Sequence, residues 1–315
     1  MRSKRSSARG RRAASHFSPV GRHGGRASIQ YGAWRTLVFL ATRLPPGVLY
    51  GAADIAGGCA YYGWSGARHR MCRNFTRVLA GGDQVGRTAR RSLQNYCRYL
   101  VDFARLGSRE PAGSAPLRDG DDAFAQLDTV LARGRGAVMV AMHFGNWDAG
   151  ALAAAARGYP VSAVAERFSD ERVTREVFAA RERLGLRILP LERPGPSLLR
   201  ALTNGGLLAL LIDRSVPGKG VRVRFFGAEV EVPAGPAQLA LRSGAALVPI
   251  AFPRVRRDAA DVLVLADFSI DTTPGDDRTA DIRRLTQAVM TAHEAFIRRY
   301  PEQWYKFGVM WAGDS

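Results

Sequence analysis

The decapeptide AMHFGNWDAG, residues 141–150, closes an apolar run with one imidazole and one carboxylate, His143 and Asp148, four residues apart. A neutral histidine whose Nδ1–H is held by a carboxylate presents Nε2 as a proton acceptor. Such a base can activate an alcohol if the pair lies in a cleft. The other histidines stand in poorer places: His16 and His23 in an Arg-rich stretch, His69 in a basic segment, His293 in an amphipathic pattern. The spacing alone also suits a structural histidine at a polar strand end, so the residues by themselves leave both readings open.

The elements around this motif sharpen the choice. GAVMVAMHF reads as a buried strand with His143 at its carboxyl end, where open α/β sheets gather functional groups. DAGALAAAARG then reads as a helix ending at Gly158, VSAVAE as a strand, and SDERVTREVFAARERLG as a helix capped by Ser169. LRILPL, LLALLIDR, AALVPIAFPRV and ADVLVLADFSI read as further strands. PSLLRALTNGG and GPAQLALRSG read as helices, VRVRFFGAEVEVP as a hairpin, and RTADIRRLTQAVMTAHEAFIRRYPEQW as a long helix stopped by Pro301. This alternation predicts an α/β fold, a mostly parallel sheet covered by helices on both faces.

The amino-terminal part differs. Residues 1–27 hold eight of the Lys and Arg and no acid; the rest of the 315-residue chain still carries +10 of the formal +18. Residues 1–33 are expected to form a disordered basic tail without the apolar stretch of a secretion signal. Residues 34–64 are apolar but interrupted by Arg43, Pro45, Pro46 and Asp54, too broken for a clean span. With Tyr61, Tyr62 and Trp64 beside RHRMCR, they read as an interfacial or re-entrant hairpin, the alternative being a buried helical pair. Residues 87–107 form an amphipathic packing helix with Ala89, Leu93, Tyr96, Leu100 and Phe103 on its apolar face. The organisation is thus a tail (1–33), a helical membrane-associating segment (34–110) and an α/β catalytic domain (111–315). Cys59, Cys72 and Cys97 make no metal-ligand spacing and no disulfide framework, which points to a reducing compartment; neither metal nor cofactor is expected.

HFGNWD (143–148) resembles the lysophospholipid acyltransferase superfamily when read with RNFTRVLAG (73–81), AERF (165–168), LLIDR (210–214), FFGAEVEVPAGPAQLALRSGAALVPI (225–250) and PEQWYKFGVMW (301–311). The branch is that of lipid A biosynthesis (lauroyl) acyltransferases and phosphatidylinositol mannoside acyltransferases. The resemblance runs from about residue 34 to Trp311. It implies transfer of an acyl chain from acyl-CoA or acyl carrier protein to a hydroxyl of a glycolipid or lysophospholipid. It makes His143 the base and Asp148 its acidic partner in an HX4D motif. No covalent intermediate is required, and no Ser or Cys stands beside His143.

Further site residues follow from strand ends. Glu166 and Arg167 close one strand, Glu166 as a second carboxylate for His143 or the acceptor and Arg167 as a phosphate ligand. Asp213 and Arg214 close another. Asn146 joins the substrate-binding set, and Gly235 opens a helix whose free N–H groups suit a phosphate or an oxyanion, unless Pro236 simply starts that helix. Expected partners are the thioester donor, a lipid acceptor and an anionic membrane surface at the cytoplasmic face of the inner membrane, bound peripherally or by an interfacial anchor. No specific nucleic acid is expected. The competing class is a non-catalytic basic protein that binds membranes or nucleic acid.

Overall fold

A computed structural model describes residues 24–106, 117–191, 195–203, 205–214, 220–257 and 261–311. Four helices come first: α1 (Gly24–Arg43), α2 (Pro46–Gly63), α3 (Ser65–Val78) and α4 (Val85–Leu106). β1 (Leu117–Arg118) and α5 (Gly120–Leu131) lead into β2 (Ala137–Ala141), α6 (Trp147–Ala156), β3 (Val161–Ala165), α7 (Glu171–Arg183), β4 (Arg187–Pro190), α8 (Gly195–Thr203) and β5 (Leu207–Leu211). The β6 (Val221–Phe225) and β7 (Ala228–Val232) hairpin, α9 (Gly235–Ser243), β8 (Ala246–Ala251), β9 (Val262–Leu263), β10 (Leu265–Ala266) and α10 (Arg278–Arg299) complete the order.

The main sheet has the order β4-β3-β5-β2-β8-β10, parallel except for β10. Both faces are covered, as the alternation predicts. Val138, Val140 and Met142 join the core made with α8, α9 and α10; Ala137, Met139 and Ala141 join the one made with α5 and α6. Register then fixes the site. β2 and β5 pair from Ala137↔Leu207 to Ala141↔Leu211, and Ile212 N–H still donates to the Ala141 carbonyl. Two residues further along each strand stand His143 and Asp213.

Two expectations change. Helix α1 begins at Gly24, so a tail reaching residue 33 overlaps a helix; residues 1–23 lie outside the described residues. Tyr31 Oη and Trp34 Nε1 donate to the Glu176 carboxylate on α7 at 2.9 and 3.0 Å, which anchors that helix on the α/β part. The cap of α7 is Asp170, whose carboxylate accepts from Arg172 N–H at 2.8 Å, because the Ser169 hydroxyl donates to Gln30 of α1 instead.

Residues 34–64 form two helices broken at Pro45–Pro46, with Pro46 at a first-turn position that loses no hydrogen bond. One side is buried: Ala41, Leu49, Tyr50 and Ala53 pack with Val101 and Ala104 of α4. Gly57 allows this approach, since a Cβ there would lie 2.5 Å from the Gln94 Cα. The other side exposes Phe39, Leu40, Leu44, Val48, Ile55, Tyr62 and Trp64. No described helix is long and apolar enough to cross a membrane.

Candidate active site

Strand β2 delivers His143 into a short turn held on three sides. The Tyr305 N–H donates to the His143 carbonyl at 2.7 Å, the Gly145 N–H to that of Gln303 at 2.9 Å, and the Asn146 N–H to that of Phe252 at 2.8 Å. Gly145 is required here: its φ is +65°, and a Cβ would meet the Phe252 carbonyl oxygen at 2.1 Å. Gln303 mimics a strand rung, its amide exchanging bonds of 2.7 and 2.9 Å with the Arg254 main chain. These contacts explain what PEQW does in this chain: it braces the histidine turn.

The carboxylate that holds the imidazole is Asp213. His143 Nδ1 lies 2.8 Å from Asp213 Oδ1, and the His143 main-chain N–H donates to Oδ2 at 3.1 Å. The Asp213 side chain is 1% exposed and the imidazole 33% exposed, so the acid is sealed while the ring reaches solvent. With Nδ1 occupied, Nε2 is the nitrogen left for chemistry. Burial disfavours the imidazolium, but the Asp213 charge and hydrogen bond outweigh it, and the pKa of His143 is raised above its ordinary 6.5; Arg214 and Lys306 oppose that rise. Burial alone would push Asp213 up, yet His143, its hydrogen bonds and Lys306 hold the carboxyl well below the usual range.

Asp148 does not touch the ring. Asn146 caps α6, its side chain accepting from Ala149 N–H at 3.1 Å, and this turns Asp148 in the first helical turn toward α4 and α7. There Asp148 accepts from Tyr99 Oη at 2.7 Å and from Arg181 Nε and Nη2 at 2.8 and 3.1 Å. Its influence on His143 passes through packing: Tyr99 lies against Trp147 with ring centroids 4.2 Å apart, and Trp147 meets the imidazole edge-on at 5.3 Å. The pairing of His143 with Asp148 expected from spacing is therefore corrected, for the reason that strand register, not sequence proximity, selects the partner.

The other expected residues divide. Glu166 pairs with Arg214 across the ends of β3 and β5 at a partly exposed rim beside the dyad. Arg167, half exposed, donates to Glu171 at 3.0 Å in its own segment. Asn146 is 2% exposed and donates to Asp102 at 3.2 Å, so it is a buried cap rather than a surface offered to substrate. Gly235 opens α9, and among the described residues no hydrogen bond joins it to His143 or Asp213. His293, under β2, donates Nε2–H to the Val140 carbonyl at 3.1 Å and is pushed down to about 4 by burial, a neutral core histidine.

Helix α4 carries what the sequence reading overlooked. Ser92 Oγ donates to the Trp304 carbonyl, Asn95 Nδ2 to that of Glu302, Tyr99 Oη to Asp148, and Asp102 accepts from Asn146, Tyr50 and Arg254. Positions 92, 95, 99 and 102 repeat at three and four residues, so one helix face holds both the histidine turn and its brace. That polar stripe was visible beside the apolar one; only the apolar one is usually read as a packing face.

Residues 16–312 match the family described as bacterial lipid A biosynthesis acyltransferase. The chain belongs to this family. It is 32% identical over 287 residues to the phosphatidylinositol mannoside acyltransferase of Mycolicibacterium smegmatis, covering 89% of this chain and 90% of that protein. It is 31% identical over 267 residues to the protein of the same name from Mycobacterium tuberculosis, covering 82% of this chain and 81% of that one. The protein is accordingly an acyltransferase.

Proposed function

We propose that this acyltransferase moves a fatty acyl chain from a thioester, acyl-CoA or acyl carrier protein, to a hydroxyl of a phosphatidylinositol mannoside-type glycolipid at a membrane surface. The observation that carries this reading is the 2.8 Å contact between His143 Nδ1 and the sealed Asp213, which leaves Nε2 as the ring nitrogen not engaged by that carboxylate. The acceptor O–H gives its proton to Nε2 while its oxygen attacks the thioester carbonyl. The C–S bond breaks, and the leaving thiolate takes the proton from the imidazolium. Asp213 holds the tautomer and stabilises the transient cation. Asp148 serves as an anchor for the loop.

The Glu166–Arg214 pair at the rim suits an acceptor that offers hydroxyls next to a phosphodiester. The apolar side of α1 and α2, bordered by Arg35, Arg43 and Arg68, suits peripheral binding to anionic lipid, with the catalytic rim facing the cytoplasmic leaflet. Mass spectrometry of membrane lipids from cells with and without the protein tests the whole reading. A glycolipid heavier by one acyl group is expected with the wild type. The His143→Ala protein is expected to lose about 10²–10⁴ in rate. An unchanged lipid profile, or full activity in His143→Ala, overturns it.

A further inference from the structure

The segment after α10 does more than brace the histidine turn. Two consecutive residues touch the main chains of both members of the dyad. Tyr305 donates its N–H to the His143 carbonyl at 2.7 Å, and Lys306 donates its ammonium to the Asp213 carbonyl. The dipeptide is itself held: Asn74 of α3 donates Nδ2–H to the carbonyls of Lys306 and Gly308 at 3.2 and 2.8 Å, and Arg70 donates Nε–H to that of Phe307 at 3.1 Å. Lys306 is partly buried, so its charge lies in a region that screens it less than bulk water would.

We infer that Lys306 is a positioning residue of the dyad, clipping the Asp213 loop at a fixed distance from His143 and placing a positive charge beside the pair. A neutral hydrogen-bond donor would supply the clip alone. An ammonium also acts on the base, because a cation near an imidazole favours its neutral form. Among the described residues the groups facing the ring are these. Asp213 and Arg214 come from the end of β5, Lys306 from the carboxyl-terminal segment, and the Trp147 edge from the start of α6. Arg214 is already paired with Glu166 of the β3 end, and among the described residues Lys306 is the cation that the Asp213 main chain itself fixes in place. Burial lowers the Lys306 pKa and Arg214 adds to this, while the Asp213 charge opposes it; the last is the direction expected of a cation held close to the acid. The consequence is a base held by an acid strong enough to orient it, yet kept from being locked in its protonated form.

The test uses the full-length chain and does not depend on the acceptor. The His143 imidazole is titrated by NMR, its signal assigned by its loss in His143→Ala. Lys306→Gln keeps a donor and removes the charge; Lys306→Arg keeps the charge. The midpoint is expected to move upward in Lys306→Gln and to stay at the wild-type value in Lys306→Arg. Should Lys306→Gln fold poorly, the same titration on Lys306→Met decides. An unmoved midpoint in the neutral variant, or an equal shift in Lys306→Arg, overturns the inference. A second readout rests on the acyl-transfer reading: the ratio of kcat/KM at pH 8 to that at pH 6 should rise several-fold in Lys306→Gln only. If the NMR midpoint moves while no acyl transfer is found, the positioning role stands and the functional reading fails.

Discussion

Two buried carboxylates flank the histidine turn, and their surroundings are opposite. Asp213 is sealed against a ring that is itself a third exposed, so its charge is directed at a group that meets solvent. Asp148 is equally sealed but faces Arg181, 15% exposed, and the buried Tyr99 hydroxyl, so its charge is neutralised inside the fold. A carboxylate paired with a permanent cation in the interior is structural: it cannot pass on a change in protonation. A carboxylate paired with an imidazole can, because the imidazole titrates. The difference shows that the acid nearest in sequence and the acid that holds the imidazole need not be the same.

Paired substitutions break the comparison most directly. Asp213→Asn should leave a folded protein whose kcat falls by about 10²–10⁴, because the amide cannot accept from both the ring N–H and the His143 main-chain N–H. Asp148→Asn should do the reverse. It leaves the Arg181 guanidinium without its charge partner, destabilising the fold by about 3 kcal/mol. Activity per folded molecule should stay within a few-fold of wild type. Thermal unfolding and single-turnover rates on both variants decide it; matched losses of rate with matched stability would erase the distinction.

The pH dependence sharpens it. The base works in its neutral form, so wild-type activity should fall as pH drops through the raised pKa of His143, above the ordinary 6.5. In Asp213→Asn burial, Arg214 and Lys306 act unopposed, and the acid limb should move to lower pH. Stability carries the matching sign. A raised histidine pKa adds stability that is fully present below the unfolded value and is lost as pH rises through the folded one. That window should vanish in Asp213→Asn and survive in Asp148→Asn, as read from denaturant midpoints between pH 5 and 8.

Much of this arrangement was legible in the residues. The alternation of GAVMVAM, VSAVAE and LLALLIDR located parallel strands, and their ends named His143, Glu166 and Asp213 as neighbours of one rim. What could not be read was which strands are adjacent. β5 is inserted between β2 and β3, and only that order brings Asp213 against His143. A local motif carries its own spacing on its face, whereas strand order is a property of long-range packing that no window of sequence contains. The cap of α7 failed for a similar reason: Ser169 and Asp170 are both good capping residues, and a distant partner, Gln30, settled which one does it. The polar stripe of α4 was overlooked on other grounds, since hydrogen-bonding side chains at helical spacing look like a solvated face until something packs on them.

The smallest expected effect probes the route by which the structural carboxylate still reaches the base. Tyr99→Phe removes one hydrogen bond to Asp148 but keeps the ring that lies 4.2 Å from Trp147. Arg181 still satisfies both carboxylate oxygens. The loss should therefore be about 1 kcal/mol of stability, the worth of a single buried bond. The acid limb of the rate profile should not move, because the contacts of His143 with Asp213 and Trp147 are untouched. Tyr99→Ala, by contrast, takes away the support for the Trp147 edge, and a fall in kcat with an unmoved acid limb would locate the effect in ring orientation. A shifted acid limb in Tyr99→Phe would mean that Asp148 does act on the base electrostatically, and the contrast between the two carboxylates would be one of degree.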